Sequence, residues 1–393
     1  ELYFPFERYA KTDTTRRTLN RPPPIISISD AGIGVAKDKH ISTFTVRSLQ
    51  DPGASMAISE SDTTAPFRSQ VGPILLLTGV FFLNFASRIV LSPLMPTVEA
   101  DLDISHSQAG SFFVCTSAGY FLSLIAAGAI SSRLMHYRTI TLSALALGVA
   151  LLGISLSQGL WQMRLGLFLL GLAAGLYLPS GIATLMSLIR SRDWGKGVAI
   201  HEVAPNMAFV AVPLITEALL PWLSWQDVLG VMGIASLLAA ATFALSGKGG
   251  RFPGQPPNWR SFQPLLVNPA FWIMALLFGL GIGSSMGIYS MLPVYLVAEH
   301  GIPRDSANML ISLSRISGVA VAFVSGWATD RLGPRRVLAT VFFLTGILTI
   351  LLGIAPHDWI IIIVFLQPLL AVCFFPAGFA ALSSILSPDA RNV

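Results

Sequence analysis

From about residue 73 onward the chain is a succession of apolar runs, each close to the length that crosses a bilayer and separated by short polar turns. A spanning helix needs roughly 20 residues, within a range of about 17–25. Ten such runs can be read, over 73–95, 108–131, 139–157, 160–188, 198–220, 228–245, 271–296, 306–327, 337–354 and 359–385. Backbone N–H and C=O groups find no water inside hydrocarbon, so these runs must be helices. The expected fold class is an all-α polytopic membrane protein with ten transmembrane helices. Composition agrees where it decides something: 11% of the residues are charged and 53% are hydrophobic, whereas soluble domains are about a quarter charged.

The turns between the runs divide by charge. One set holds Arg133, Arg138, Arg190, Arg192, Lys196, Lys248, Arg251, Arg260, Arg331, Arg335 and Arg336. The opposite set holds Arg304 as its one basic residue, beside Glu99, Asp101, Asp103, Asp227, Glu299, Asp305 and Asp358. Basic residues collect on the cytoplasmic side of membrane proteins, so the N-terminus is expected in the cytoplasm and the protein in the cell inner (plasma) membrane. The same asymmetry accounts for the net charge of +5. It leaves no basic face that would bind nucleic acid. Cys115 and Cys373 both lie in apolar runs, without metal-ligand spacing. No nucleophile triad, metal set or pair of catalytic carboxylates accompanies them, so neither an enzyme nor a cofactor is expected.

An internal repeat organises the chain. Phe365-Leu366 through Phe375-Pro376-Ala377-Gly378 lies 197 positions after Phe168-Leu169 through Leu178-Pro179-Ser180-Gly181. Gly326 and Arg331 lie 198 positions after Gly128 and Arg133. Two separate matches at nearly one offset point to duplicated halves of six helices, a pattern of parallel repeats. The expected divisions are a disordered cytoplasmic N-terminal extension over 1–70, a six-helix bundle over 71–246, a cytoplasmic central loop over 247–268 and an incomplete bundle of four helices over 269–393. The counterparts of the fifth and sixth runs would begin near residue 395, so the last two helices are expected to be missing. The first methionine is Met56, which makes 1–55 read as sequence not native to the protein, with a genuine tail as the alternative.

The turn Gly326-Trp327-Ala328-Thr329-Asp330-Arg331-Leu332-Gly333-Pro334-Arg335-Arg336 packs one acid and three arginines between two apolar runs. It resembles the signature loop of the major facilitator superfamily, G-x-x-x-D-R-x-G-x-R-R. The resemblance extends from about residue 73 to the end. It implies a transporter in which Gly326, Asp330, Arg331, Gly333, Arg335 and Arg336 form a conformational-switch loop, with Gly128 and Arg133 in the first-half copy. That copy departs from the pattern: Ser132 replaces the usual acid and Met135 the usual glycine. Arg164, Gly171 and Gly175 look like the arginine–glycine pattern of the family's fourth helix. The proline–glycine series of drug antiporters is absent from the fifth run, where Pro205 and Pro213 stand alone. The stretch from Asn84 to Pro96 is similar to the organic-anion branches, the anion:cation symporters and organophosphate antiporters, which carry an arginine at the position of Arg88. Those symporters have an acid before it; Ser87 stands here.

Arg88 lies about fourteen residues into its run, roughly 21 Å at 1.5 Å per residue. A charge at that depth costs at least about 2.5 kcal/mol and should face a cavity or a partner. Asn84 sits one turn earlier on the same face. Arg315, between Ser312, Ser314 and Ser317, is a second mid-run cation. Two arginines without mid-membrane acids favour an anionic cargo, with Tyr289 and Gln367 as further candidate contacts. His201 and Glu202 open the fifth run. They read either as a coupling pair, because imidazole titrates near neutrality, or as headgroup-level residues meeting water or Arg192. The expectation is a monomeric secondary transporter of a small organic anion, by proton symport or exchange. A drug-like or neutral-solute exporter, or a non-transporting sensor or inactive fragment, is the alternative.

Overall fold

The computed structural model describes residues 66–386 apart from 257, 259–262, 264 and 265, and gives the backbone alone at 317, 319, 320, 322, 323 and 383–386. The N-terminal extension therefore lies outside the described residues up to position 65. Helices α1 (Phe67–Ile89) and α2 (Leu91–Leu102) are followed by α3 (His106–Leu134), α4 (His136–Ser155), α5 (Leu160–Gly175) and α6 (Tyr177–Leu188). Next come α7 (Trp194–His201), α8 (Val203–Leu219) and α9 (Trp225–Ser246). After the central connection come α10 (Pro269–Ile282), a π-helical segment (Gly283–Gly287), α11 (Ile288–Ala298), α12 (Arg304–Leu332), α13 (Pro334–Ile354) and α14 (His357–Leu386). No strand occurs among the described residues. The chain is an all-α, multi-pass membrane protein.

Nine stretches among the described residues are long and apolar enough to cross a membrane. The tenth expected run is α12, a helix of 29 residues. Its stretch 309–326 holds one charge, Arg315, among apolar and small residues, and side chains at five of those positions lie outside the described residues. The length of α12 allows a tenth span beside those nine.

Several spans are broken where the sequence places proline. Pro93 has no N–H for the carbonyl of Ile89, and α1 gives way to α2 at Val90. Pro179 does the same to Gly175, dividing α5 from α6 at Leu176. Pro205 does it to His201, dividing α7 from α8 at Glu202. A freed carbonyl needs another donor. Pro293 frees that of Tyr289, and Ser92 Oγ donates to it at 2.7 Å.

The repeat is legible in the helix bounds. The starts of α12 and α13 follow those of α3 and α4 by 198 positions, and α14 follows α5 by 197. Even the turn conformation is repeated. Met135, between α3 and α4, has φ 70° and ψ 154°. Gly333, at the same place in the second copy, has φ 82° and ψ 150°. Within the first half α3 and α5 touch backbone to backbone: a Cβ added at Gly119 would sit 2.1 Å from the carbonyl oxygen of Phe168. At Gly171 it would sit 2.1 Å from that of Thr116.

The halves meet chiefly through α2 and α8 of the first against α11 and α12 of the second. These contacts crowd towards the acid-rich ends. Arg304 lays its Nε and Nη2 on the two oxygens of Glu217 at 3.1 and 3.2 Å and its Nη1 on Thr97 Oγ1 at 2.9 Å. Asn308 donates to the same Glu217 at 2.6 Å and to the Pro93 carbonyl at 3.1 Å. At the arginine-rich ends the described part of the central connection lies on the first half. His136 N donates to Phe252 O, Tyr137 N to Gly250 O and Gly254 N to Ser131 O, at 3.2, 2.8 and 3.0 Å.

Candidate functional site

The two arginines expected at mid-depth come together where the halves meet, joined by rings rather than by carboxylates. On α1, the guanidinium carbon of Arg88 stands 5.1 Å from the ring centroid of Phe85 and 4.0 Å from that of Tyr120 on α3. Its Nη2 approaches Met286 Sδ in the second half at 3.8 Å. On α12, Arg315 stands 4.4 Å from the ring of Phe209 on α8 and 5.2 Å from that of Tyr289 on α11. Phe85 and Phe209 pack edge to face at 5.2 Å, and Phe209 and Tyr289 at 4.8 Å. An aromatic face attracts a cation electrostatically, by about 2 kcal/mol when water is excluded. This is how two unneutralised cations are tolerated here.

The arginines have donors to spare. Arg315 gives Nη1 to Ser285 Oγ at 3.2 Å and Nη2 to the Ser285 carbonyl at 3.1 Å. Its Nε is buried with no partner. Met286 sulfur is a weak acceptor for Arg88. No ion pair reaches either arginine among the described residues.

The remaining candidates fall at different distances from this pair. Tyr289 belongs to it, and its buried hydroxyl has no partner. Gln367 donates to the Ser284 carbonyl at 2.8 Å, fixing the π-helical segment one residue from the serine that holds Arg315. Asn84 turns its amide to the Ala174 carbonyl on α5 at 3.1 Å, rather than towards Arg88. Arg164 donates to Ser111 at 2.9 Å, a bond between α5 and α3. His201 is fully buried while the Glu202 side chain is 48% exposed, with His201 Nδ1 and Glu202 Oε1 3.5 Å apart. Arg192 lies by Asp193 instead, at 3.7 Å. In the switch loop, Arg331 lies over Trp327 at 4.6 Å. Asp330, Arg331, Arg335 and Arg336 are exposed, as is Arg133 in the first copy; Gly326 and Gly128 are half-buried.

Phe85 and Phe209 do not stand out from sequence. The two rings look like ordinary apolar spacing, and only their contact with guanidinium groups sets them apart. Glu217 carried a signal, since an acid inside an apolar run is itself unusual.

The family profile described as Major Facilitator Superfamily matches residues 77–393. The chain belongs to the Major Facilitator Superfamily. It is thus a membrane transport protein rather than an enzyme. Among superfamily relatives, the gallate transporter of Pseudomonas putida is 22% identical over 302 residues, covering 67% of this chain and 66% of that protein. Multidrug resistance protein MdtL of Shigella dysenteriae serotype 1 (strain Sd197) is 24% identical over 304 residues, covering 75% of each. The chain spans about two thirds of the first relative's length and three quarters of the second's. Among solved superfamily folds, a bacterial homolog of the human lysosomal transporter Spinster, inward-facing and unoccupied, superposes with a TM-score of 0.69 at 15% identity, covering 83% of this chain and 77% of that one. A point mutant of the nucleoside transporter NupG does so with a TM-score of 0.68 at 14% identity, covering 81% and 85%.

Proposed function

We propose that the chain carries a small organic anion across the cell inner membrane by alternating access, with its N-terminus in the cytoplasm. The observation that carries this reading is the pair Arg88 and Arg315, one from each half. They are unneutralised, ring-supported and supplied with unused N–H donors. A planar guanidinium presents its donors as a fork that fits a carboxylate. The surrounding Phe85, Tyr120, Phe209 and Tyr289 offer faces to a ring attached to that carboxylate. An aromatic carboxylate is therefore the cargo we favour, and the gallate transporter among the relatives supports the same class. With arginine-rich turns inside, contacts crowded at the acid-rich ends correspond to a carrier closed to the outside.

Uptake of labelled gallate into vesicles containing the chain tests this. Arg88→Ala and Arg315→Ala should each lower uptake about 10- to 100-fold, because a hydrogen bond to a charged group is worth about 1.5–3 kcal/mol. Lysine at either position should recover part of the loss, since charge returns without the fork. Undiminished uptake in both alanine variants would sink the anion reading.

A second reading, export of drug-like compounds, rests on the MdtL relatives and on the same ring-lined site. It predicts that neutral aromatic compounds move as fast as carboxylates and that the arginine substitutions affect both alike.

A further inference from the structure

We infer that Nδ1 of His201, facing Glu202, is the position where this carrier binds a proton. This deepens the transporter reading above and rests on it. The break forced by Pro205 leaves Glu202 at the end of α7 with its side chain half exposed, while the imidazole beside it is fully buried. Phe81 on α1 stacks on that imidazole at 4.3 Å, nearly parallel, and Tyr177 on α6 stacks on Phe81 at 5.2 Å.

The hydrogen bonds identify the tautomer. Tyr177 has a single hydroxyl proton. Its oxygen is 2.9 Å from the Leu77 carbonyl and 3.0 Å from His201 Nε2. A carbonyl can only accept, so the hydroxyl proton goes to Leu77. The Tyr177 oxygen must then accept from an N–H at Nε2. A neutral imidazole has one N–H, so Nδ1 is left as a bare lone pair. Nδ1 is buried without a hydrogen bond, and the nearest charged group is Glu202 Oε1 at 3.5 Å. Two acceptors facing each other repel; one proton between them turns the repulsion into an ion pair. The arrangement lacks one proton, and the exposed carboxylate is its route in.

Among the described residues, Glu202 is the charged group within 4 Å of His201 Nδ1. From α1 the imidazole meets Phe81 and, through Tyr177, the Leu77 carbonyl. From α6 it meets Tyr177. Arg192 and Lys196, on the preceding turn and α7, are engaged with Asp193 at 3.7 and 2.8 Å. The site also touches the arginine pair. Phe81 packs edge to face on Phe85 at 6.4 Å, and Phe85 lies beneath Arg88 and against Phe209. Rings are thus continuous from the proton position to both guanidinium groups, so a shift of the imidazole on protonation is felt through packed side chains.

The test uses the full chain, purified with 15N-labelled histidine, with the His201→Gln spectrum identifying the signal. The expected result is a bare Nδ1 and an N–H at Nε2 near neutral pH, with Nδ1 gaining a proton on acidification. In Glu202→Gln that gain should appear only at lower pH. A proton on Nδ1 with a bare Nε2 at every pH, or a Glu202→Gln titration identical to the native one, overturns the inference. In vesicles with a trapped pH dye, His201→Gln should lower the ratio of proton flux to gallate flux to background; an unchanged ratio also overturns it. Failure of gallate to move at all would count against the anion reading, while the NMR result still decides the proton position.

Discussion

Met135 adopts the backbone conformation that Gly333 adopts in the second copy, in a region that residues with a Cβ rarely enter. Strain of this kind costs about 1–3 kcal/mol, partly offset because glycine loses roughly 0.5–1 kcal/mol of chain entropy on folding. Met135→Gly should therefore stabilise the chain by about 1 kcal/mol, read as a higher thermal midpoint in detergent. Gly333→Ala should lower the midpoint. A Met135→Gly variant that melts no higher than the native chain would show that the turn is relaxed. The sequence revealed the substitution, because the repeat aligns Met135 with a glycine, but not that the backbone had kept the glycine's conformation. Arg88 and Arg315 were likewise legible as charges at depth. Their ring partners were not, because Phe85 and Phe209 belong to apolar faces that fit packing equally well.

Between elements, the group formed by Arg304, Glu217, Asn308 and Thr97 is the most polar contact joining the halves. It ties the start of α12 to the end of α8 and to α2. Because Arg304 is a third exposed, solvent weakens the ion pair, and the more buried bond from Asn308 contributes alongside it. Glu217→Gln should shift the population towards a form open at the acid-rich ends. The measurement is spin-label distances between the ends of α2 and α12, which should gain a longer component. Distances indistinguishable from native would mean that apolar contacts alone hold that end shut. Span positions came from the sequence because hydrocarbon thickness fixes their length. The breaks at Val90, Leu176 and Glu202 were missed, although Pro93, Pro179 and Pro205 mark each of them. A proline inside an apolar run does not announce whether the helix bends or ends: Pro213 lies within α8 without breaking it.

At the scale of the molecule, two copies of one design have diverged in how their arginine-rich turns are used. The duplication was readable because it is written in residue identities at a fixed offset. What the offset cannot carry is the path of the chain between the copies. There, Phe252, Gly250 and Gly254 are bonded to the turn of the first copy. A side chain at Gly254 would collide with Ser131, since an added Cβ lies 2.1 Å from its Oγ. Gly254→Val should detach this segment and raise its rate of proteolytic cleavage several-fold, if local opening governs cutting. An unchanged cleavage rate would mean that the remaining bonds suffice.

That attachment shortens the leash between the halves. Counted from Gly254 rather than from Ser246, where α9 ends, the covalent tether to Pro269 at the start of α10 is residues 255–268. Fully extended, such a stretch reaches about 50 Å at most. Whatever swing separates the arginine-rich ends must fit within that tether, so trimming residues there would curb the stroke while the pinned portion stayed put.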